Sequence, residues 1–152
     1  MAVCSAPPTL RIRAQRPSPS ALQEIERSVQ LILGGTGAGQ PVFERRRSKR
    51  YPFPYPIRLI PMSTDGTVLI DEAMFVLGKH LSLHGLDFYG SRPLPYRFAI
   101  TCFDCGEGRR LQLLMDLTWC RFCHHGWYEN GGRFLQEISP TTTADCRDAN
   151  AV

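Results

Sequence analysis

Arg110-Leu111-Gln112-Leu113-Leu114-Met115-Asp116-Leu117-Thr118-Trp119-Cys120-Arg121-Phe122 contains neither glycine nor proline. Leu111, Leu113, Met115, Leu117 and Trp119 recur at every second position, the period of a strand with one buried face. The stretch therefore predicts one long strand, and it decides between two folds. Cys102 and Cys105 precede it, and Cys120 and Cys123 close it. Two CxxC pairs at this separation have the spacing of a zinc ribbon. A ribbon needs a fold-back midway between the pairs, but Gly106-Glu107-Gly108 abuts the first pair instead. A continuous strand then carries Cys120 about 30 Å from that turn, at roughly 3.3 Å per residue. Thiolates so far apart cannot share a tetrahedral ion with bonds of about 2.3 Å. The favoured reading is reduced thiols. A metal site on Cys102, Cys105, Cys120 and Cys123, in a ribbon-like module for nucleic acid or protein, stands as the alternative.

The rest of the chain from Tyr51 has the same β texture. Pro52, Pro54 and Pro56 keep the entry extended. Ile57, Leu59 and Ile60 begin a strand, and Thr64-Asp65-Gly66 supplies a turn. Phe75-Val76-Leu77, then Leu86, Phe88 and Tyr89, and then Tyr96 to Phe103 mark further strands. Trp127, Tyr128, Phe134 and Ile138 fall in a closing strand within residues 126–138. About six short strands in some ninety residues predict an all-β domain, a small antiparallel barrel.

Before the barrel, Ser20 is placed as a helix N-cap with Gln23 as its capping-box partner. Leu22, Ile25, Val29, Leu31, Ile32 and Leu33 form the apolar face of a helix over residues 20–34, ended by Gly34 and Gly35. A helix of about fourteen residues is marginal alone. Its face is expected to dock on the barrel or on a second copy. Residues 1–19 read as a disordered tail, because Pro7, Pro8, Pro17 and Pro19 oppose a transit-peptide helix despite Arg11, Arg13 and Arg16. Residues 35–41 read as a linker, 42–138 as the barrel and 139–152 as a second disordered tail.

The 152 residues are 43% hydrophobic and 21% charged, ordinary values for one globular domain. No apolar run is long enough to span a membrane, and the N-terminus lacks the pattern of a secretory signal. A cytoplasmic protein is expected. Charge is concentrated in Glu44-Arg45-Arg46-Arg47-Ser48-Lys49-Arg50, so that residues 41–50 hold five cations against one acid. One short arginine cluster suits a small anionic ligand better than a nucleic acid polymer. No nucleophile elbow, phosphate loop or metalloprotease helix is present, so no enzyme is expected.

Arg46-x-x-x-Arg50 followed by Tyr51-Pro52 resembles the arginine signature of PilZ domains. His80-Leu81-Ser82-Leu83-His84-Gly85 resembles the second signature of that family, an Asp or Asn, any residue, Ser, two residues and Gly. Trp119 to Phe122, with Gly126-Trp127-Tyr128 and Gly132-Arg133-Phe134, is similar to the last two strands. The resemblance runs from about Val42 to Ile138. It implies a six-stranded PilZ-type barrel in a bacterial protein that binds cyclic di-GMP without catalysis or a resident cofactor. Arg46 and Arg50, mobile before binding, would close over the phosphates and guanine. Ser82 would offer its hydroxyl, and Gly85 would allow close approach. His80 departs from the signature: neutral imidazole has one acceptor nitrogen and the protonated ring has none, so binding should weaken on protonation. The partners implied are the dinucleotide and an effector protein or a second copy. A PilZ-like adaptor without nucleotide binding is a further alternative.

Overall fold

The structure is a computed structural model that describes residues 10–36, 49–106 and 108–139. One helix, α1 (Pro19–Thr36), precedes seven strands: β1 (Tyr51–Pro52), β2 (Pro56–Met62), β3 (Met74–Leu81), β4 (Gly85–Gly90), β5 (Phe98–Asp104), β6 (Arg110–Phe122) and β7 (Tyr128–Ile138). The strands are hydrogen-bonded in the order β1-β3-β2-β5-β6-β7-β4, and β3 also pairs with β4. That last pairing closes six antiparallel strands into a barrel, and β1 lies just ahead of β2 on the same edge of β3, opposite the edge that β4 occupies. The expected six-stranded antiparallel barrel with an N-terminal helix is what forms, and β1 is one strand more than the pattern showed.

Helix α1 is capped two residues earlier than the capping box placed it. The hydroxyl of Ser18, not that of Ser20, accepts from the Ala21 N–H at 3.2 Å. Pro19 then occupies the first helical position, where its missing N–H costs nothing. Ile25, Val29 and Ile32 lie on one stripe and are almost fully buried. They pack with Leu59, Phe88, Leu113, Met115 and Phe134, so the helix docks on the barrel and joins its core. Leu31, assigned to that face by the sequence, is 45% exposed. Gly35 lies so close to the backbone carbonyl of Cys105 that a Cβ would stand 2.2 Å from its oxygen.

A second apolar cluster lies on the other face of the sheet. Ile60, Ile100 and Leu114 alternate with the first set along β2, β5 and β6, and Ile12 and Val68 cover them. Residues 10–12, expected in a disordered tail, run beside the turn after β2. The Ile12 N–H donates to the Gly66 carbonyl at 2.8 Å, and the Val68 N–H donates to the Leu10 carbonyl at 2.9 Å. The apolar outer face of three strands needs a cover, and this arm supplies it.

β6 spans Arg110 to Phe122 as the alternation predicts, with Leu113 and Met115 fully buried. Trp119 does not share their face. Leu117 pairs with Gly132 but Trp119 pairs with Gly131, so Thr118 is an extra residue on β6. Such a bulge reverses the facing of everything after it, and Trp119 turns outward.

Candidate functional site

Five neighbouring strands bring the residues of interest together. Pro52 on β1 is opposite His80 on β3, His80 is opposite Asp87 on β4, Asp87 is opposite Gly131 on β7, and Gly131 is opposite Trp119 on β6. One transverse row thus crosses the outside of the barrel. Arg50, just before β1, extends over β3 and its Nη1 donates to Asp87 Oδ2 at 2.8 Å. His80 Nδ1 lies 3.9 Å from the same oxygen. It is buried without a hydrogen-bond partner. Arg50, expected to be loose in a linker, is instead held against the strand surface by this ion pair. Arg46, Arg45 and Arg47 fall outside the described residues.

The second signature forms the β3–β4 turn. The Ser82 N–H donates to the Gly85 carbonyl at 2.9 Å. The Ser82 hydroxyl donates to that carbonyl at 3.2 Å and accepts from the Gly85 N–H at 3.1 Å. Serine is thereby used to close the turn. Gly85 is required for packing: a Cβ there would stand 2.2 Å from the Gly132 carbonyl oxygen on β7. From the tip of the turn, His84 Nε2 reaches Glu26 Oε1 of α1 at 3.4 Å.

A groove of about 1130 Å³ runs over this surface, walled by Arg50, His80, Ser82, Asp87, Trp119 and Arg133. It is somewhat larger than the usual small-ligand cleft of about 300–1,000 Å³. Arg16 and Arg97 also border it, as does Asp116, whose carboxylate lies 3.5 Å from Arg97 Nε. Four arginines therefore face two carboxylates around the rim. The Trp119 indole lies directly on Gly131, where any Cβ would come within 2.3 Å of the ring. On its other side the Arg121 guanidinium stands 5.6 Å from the ring centroid.

Arg121 belongs to an ion network adjoining the groove. Glu129 on β7 accepts from Arg121 at 2.8 Å and from Lys79, and its side chain is only 6% exposed. Burial alone would raise the Glu129 pKa, but the hydrogen bonds from Lys79 and Arg121 hold it below the usual value. The bond to Glu129 in turn holds the Lys79 pKa above its ordinary range, against the opposing effect of burial.

The sequence singled out Arg50, His80, Ser82 and Gly85, and the fold places all four at this groove. It passed over Asp87, Arg16, Arg97, Asp116 and Arg133, and its alternation put Trp119 on one face with Leu113 and Met115. Asp87 was within reach: counting outward from the turn pairs Leu81 with Leu86 and His80 with Asp87. The bulge at Thr118 left no such signal. The cysteine pairs stay apart, since Cys102 is opposite Gln112 and Cys120 lies eight positions further along β6. Among the described residues, no group of three His, Cys, Asp or Glu side chains is placed to hold a metal ion. Cys4 and Cys146 lie outside the described residues.

No helix among the described residues is long and apolar enough to cross a membrane. No family model and no curated protein matches the chain. Among solved structures, the Bacillus subtilis inhibitor of motility (MotI/DgrA) is similar at 12% sequence identity with a TM-score of 0.49. The match covers 72% of this chain and 54% of that one, so the chain spans about half the length of that protein.

Proposed function

We propose that the groove binds cyclic di-GMP and that the protein is a non-enzymatic bacterial receptor or adaptor acting in the cytoplasm. The observation that carries this reading is the convergence of Arg50 with His80 and Ser82, thirty and thirty-two residues later, on the wall of one groove. The ligand has two phosphodiester charges and two guanines. Four arginines facing two carboxylates leave a surplus of cationic groups suited to the former. An arginine fork also fits the adjacent O6 and N7 acceptors of guanine, and its plane stacks on the base. Arg46 is four residues from Arg50, which limits the distance between their Cα atoms to about 14 Å. We propose it as the second arginine of the same ligand site. The outward indole of Trp119, 37% exposed, can stack a base once the Arg121 guanidinium moves off its face.

The output runs to an effector protein or a second copy of the chain through α1. The contact of His84 with Glu26 ties the helix to the turn that walls the groove, so a ligand that moves the turn also moves the helix. Calorimetric titration with cyclic di-GMP tests the reading. Saturable binding that Arg46→Ala and Arg50→Ala each abolish is expected. Absence of heat with the folded wild type at high ligand concentration would refute nucleotide binding and favour an adaptor that recognises protein alone.

A further inference from the structure

We infer that Asp87 reads the base and makes the groove select guanine over adenine. This rests on the dinucleotide reading above and extends it to base choice. His80 occupies the position where the sequence resemblance calls for Asp or Asn, so a carboxylate or amide acceptor is missing there. The tight Ser82–Gly85 turn fixes the register that sets His80 opposite Asp87. Directly opposed side chains on one face have Cβ atoms about 4.5–5.5 Å apart. The carboxylate absent from position 80 is thus supplied one strand away, at the same level of the groove wall.

The surroundings of Asp87 fit a reader of bases. Its side chain is 11% exposed, and the Arg50 guanidinium orients it from 2.8 Å. An ionised carboxylate has about four acceptor sites and no donor, so it serves several donors at once. The Watson–Crick edge of guanine presents N1–H and the N2 amine side by side, a donor pair that matches the two carboxylate oxygens. Adenine presents a bare N1 lone pair there and has no N2 amine, so its acceptor would face a negative charge. That repulsion contributes to specificity as much as the attraction does. The buried, unpartnered Nδ1 of His80 lies 3.9 Å from Asp87. That nitrogen is closed off from the groove, so the Asp87 carboxylate is the acceptor this row presents.

The test is calorimetric titration of wild type, Asp87→Asn, Asp87→Ala and the double variant Asp87→Ala with His80→Asp, each with cyclic di-GMP and with cyclic di-AMP. Circular dichroism confirms that each variant is folded. Wild type is expected to prefer cyclic di-GMP, and both single variants to lose about 5- to 150-fold of that preference, the discrimination carried by one bidentate base contact. The double variant should regain it, because the carboxylate returns to the same row. If Asp87 serves only to position Arg50, affinity for both dinucleotides falls together and their ratio is unchanged, which overturns the inference. A folded double variant that does not recover the ratio overturns it as well. Failure of wild type to bind either dinucleotide would refute the reading of the groove, and base selection with it. Binding of cyclic di-GMP with an unchanged ratio in the single variants would refute base selection alone.

Discussion

Arg50 and Asp87 are joined by a 2.8 Å ion pair that passes over the whole width of β3. The pair holds the guanidinium at the mouth of the groove, so the arginine is oriented before any ligand arrives. Preorganisation of this kind reduces the entropy lost on binding. It also makes the geometry of the fork matter, beyond its charge. Arg50→Lys keeps the charge but presents a point-like ammonium without paired donors. Cyclic di-GMP affinity should fall by at least about tenfold in this variant, roughly 1.4 kcal/mol, with the melting temperature almost unchanged. Titration and thermal denaturation check the two halves of this prediction. Equal affinity for the Lys variant would show that only charge is used.

Trp119 rests on Gly131 with no room for a methyl group, since a Cβ would come within 2.3 Å of the indole. Gly131→Ala should therefore displace the ring from the barrel wall while leaving the strand pairing intact. In a Trp127→Phe background the emission of Trp119 should shift to the red as the indole becomes better hydrated. The same variant should bind cyclic di-GMP more weakly, because the displaced ring no longer forms the groove wall. Unchanged emission would mean that the ring is not seated on Gly131.

The barrel was legible because Leu111, Leu113 and Met115 repeat at the strand period, and no glycine or proline interrupts them. The site was legible where it depends on local chemistry: Ser82 and Gly85 announce a turn whichever barrel surrounds it. Two contributions were not legible, for physical reasons. A bulge adds one residue without altering local composition, so strict alternation assigned Trp119 to the wrong face. The arm at residues 10–12 is too short to show a period, and its place depends on an otherwise exposed apolar patch on β2, β5 and β6, assembled from residues up to about a hundred positions away. Arg97, Asp116 and Arg133 likewise meet only through cross-strand register: Asp116 is opposite both Phe98 and Arg133.

Gly85 on β4 is opposite Arg133 on β7, next to Gly132, and neither glycine has room for a side chain. A Cβ on Gly85 would meet the Gly132 carbonyl oxygen at 2.2 Å, and one on Gly132 would meet the Asp116 carbonyl oxygen at 2.0 Å. Backbone atoms cannot rotate away as a flexible side chain does. Gly85→Ala and Gly132→Ala should each destabilise the fold by about 1–3 kcal/mol, the range for overpacked positions. Gly34 predicts the opposite sign, because it lies in α1 with nothing within 4 Å of its would-be Cβ. Gly34→Ala should stabilise by about 0.4–1 kcal/mol through the entropy of the unfolded chain. Urea midpoints at constant m-value measure all three.

Glu129 makes stability depend on pH at both extremes. The hydrogen bonds from Lys79 and Arg121 outweigh burial and lower its pKa in the folded protein. A lowered carboxylate pKa stabilises the fold above the ordinary value of 4.5, and that contribution disappears as pH falls through the folded-state pKa. Lys79 has the reverse sign: its raised pKa stabilises the fold below the ordinary value of 10.5 and is lost as pH rises through the folded-state pKa. Glu129→Gln removes the carboxylate from both pairs and leaves Lys79 without its anion. At neutral pH the variant should be less stable by about 2 kcal/mol, the scale of a hydrogen bond to a charged group. The gap between wild type and variant should narrow in acid below the ordinary carboxylate value, and again in strong base. Chemical denaturation of both proteins across that range checks the prediction, and a gap independent of pH would show that Glu129 acts through packing alone.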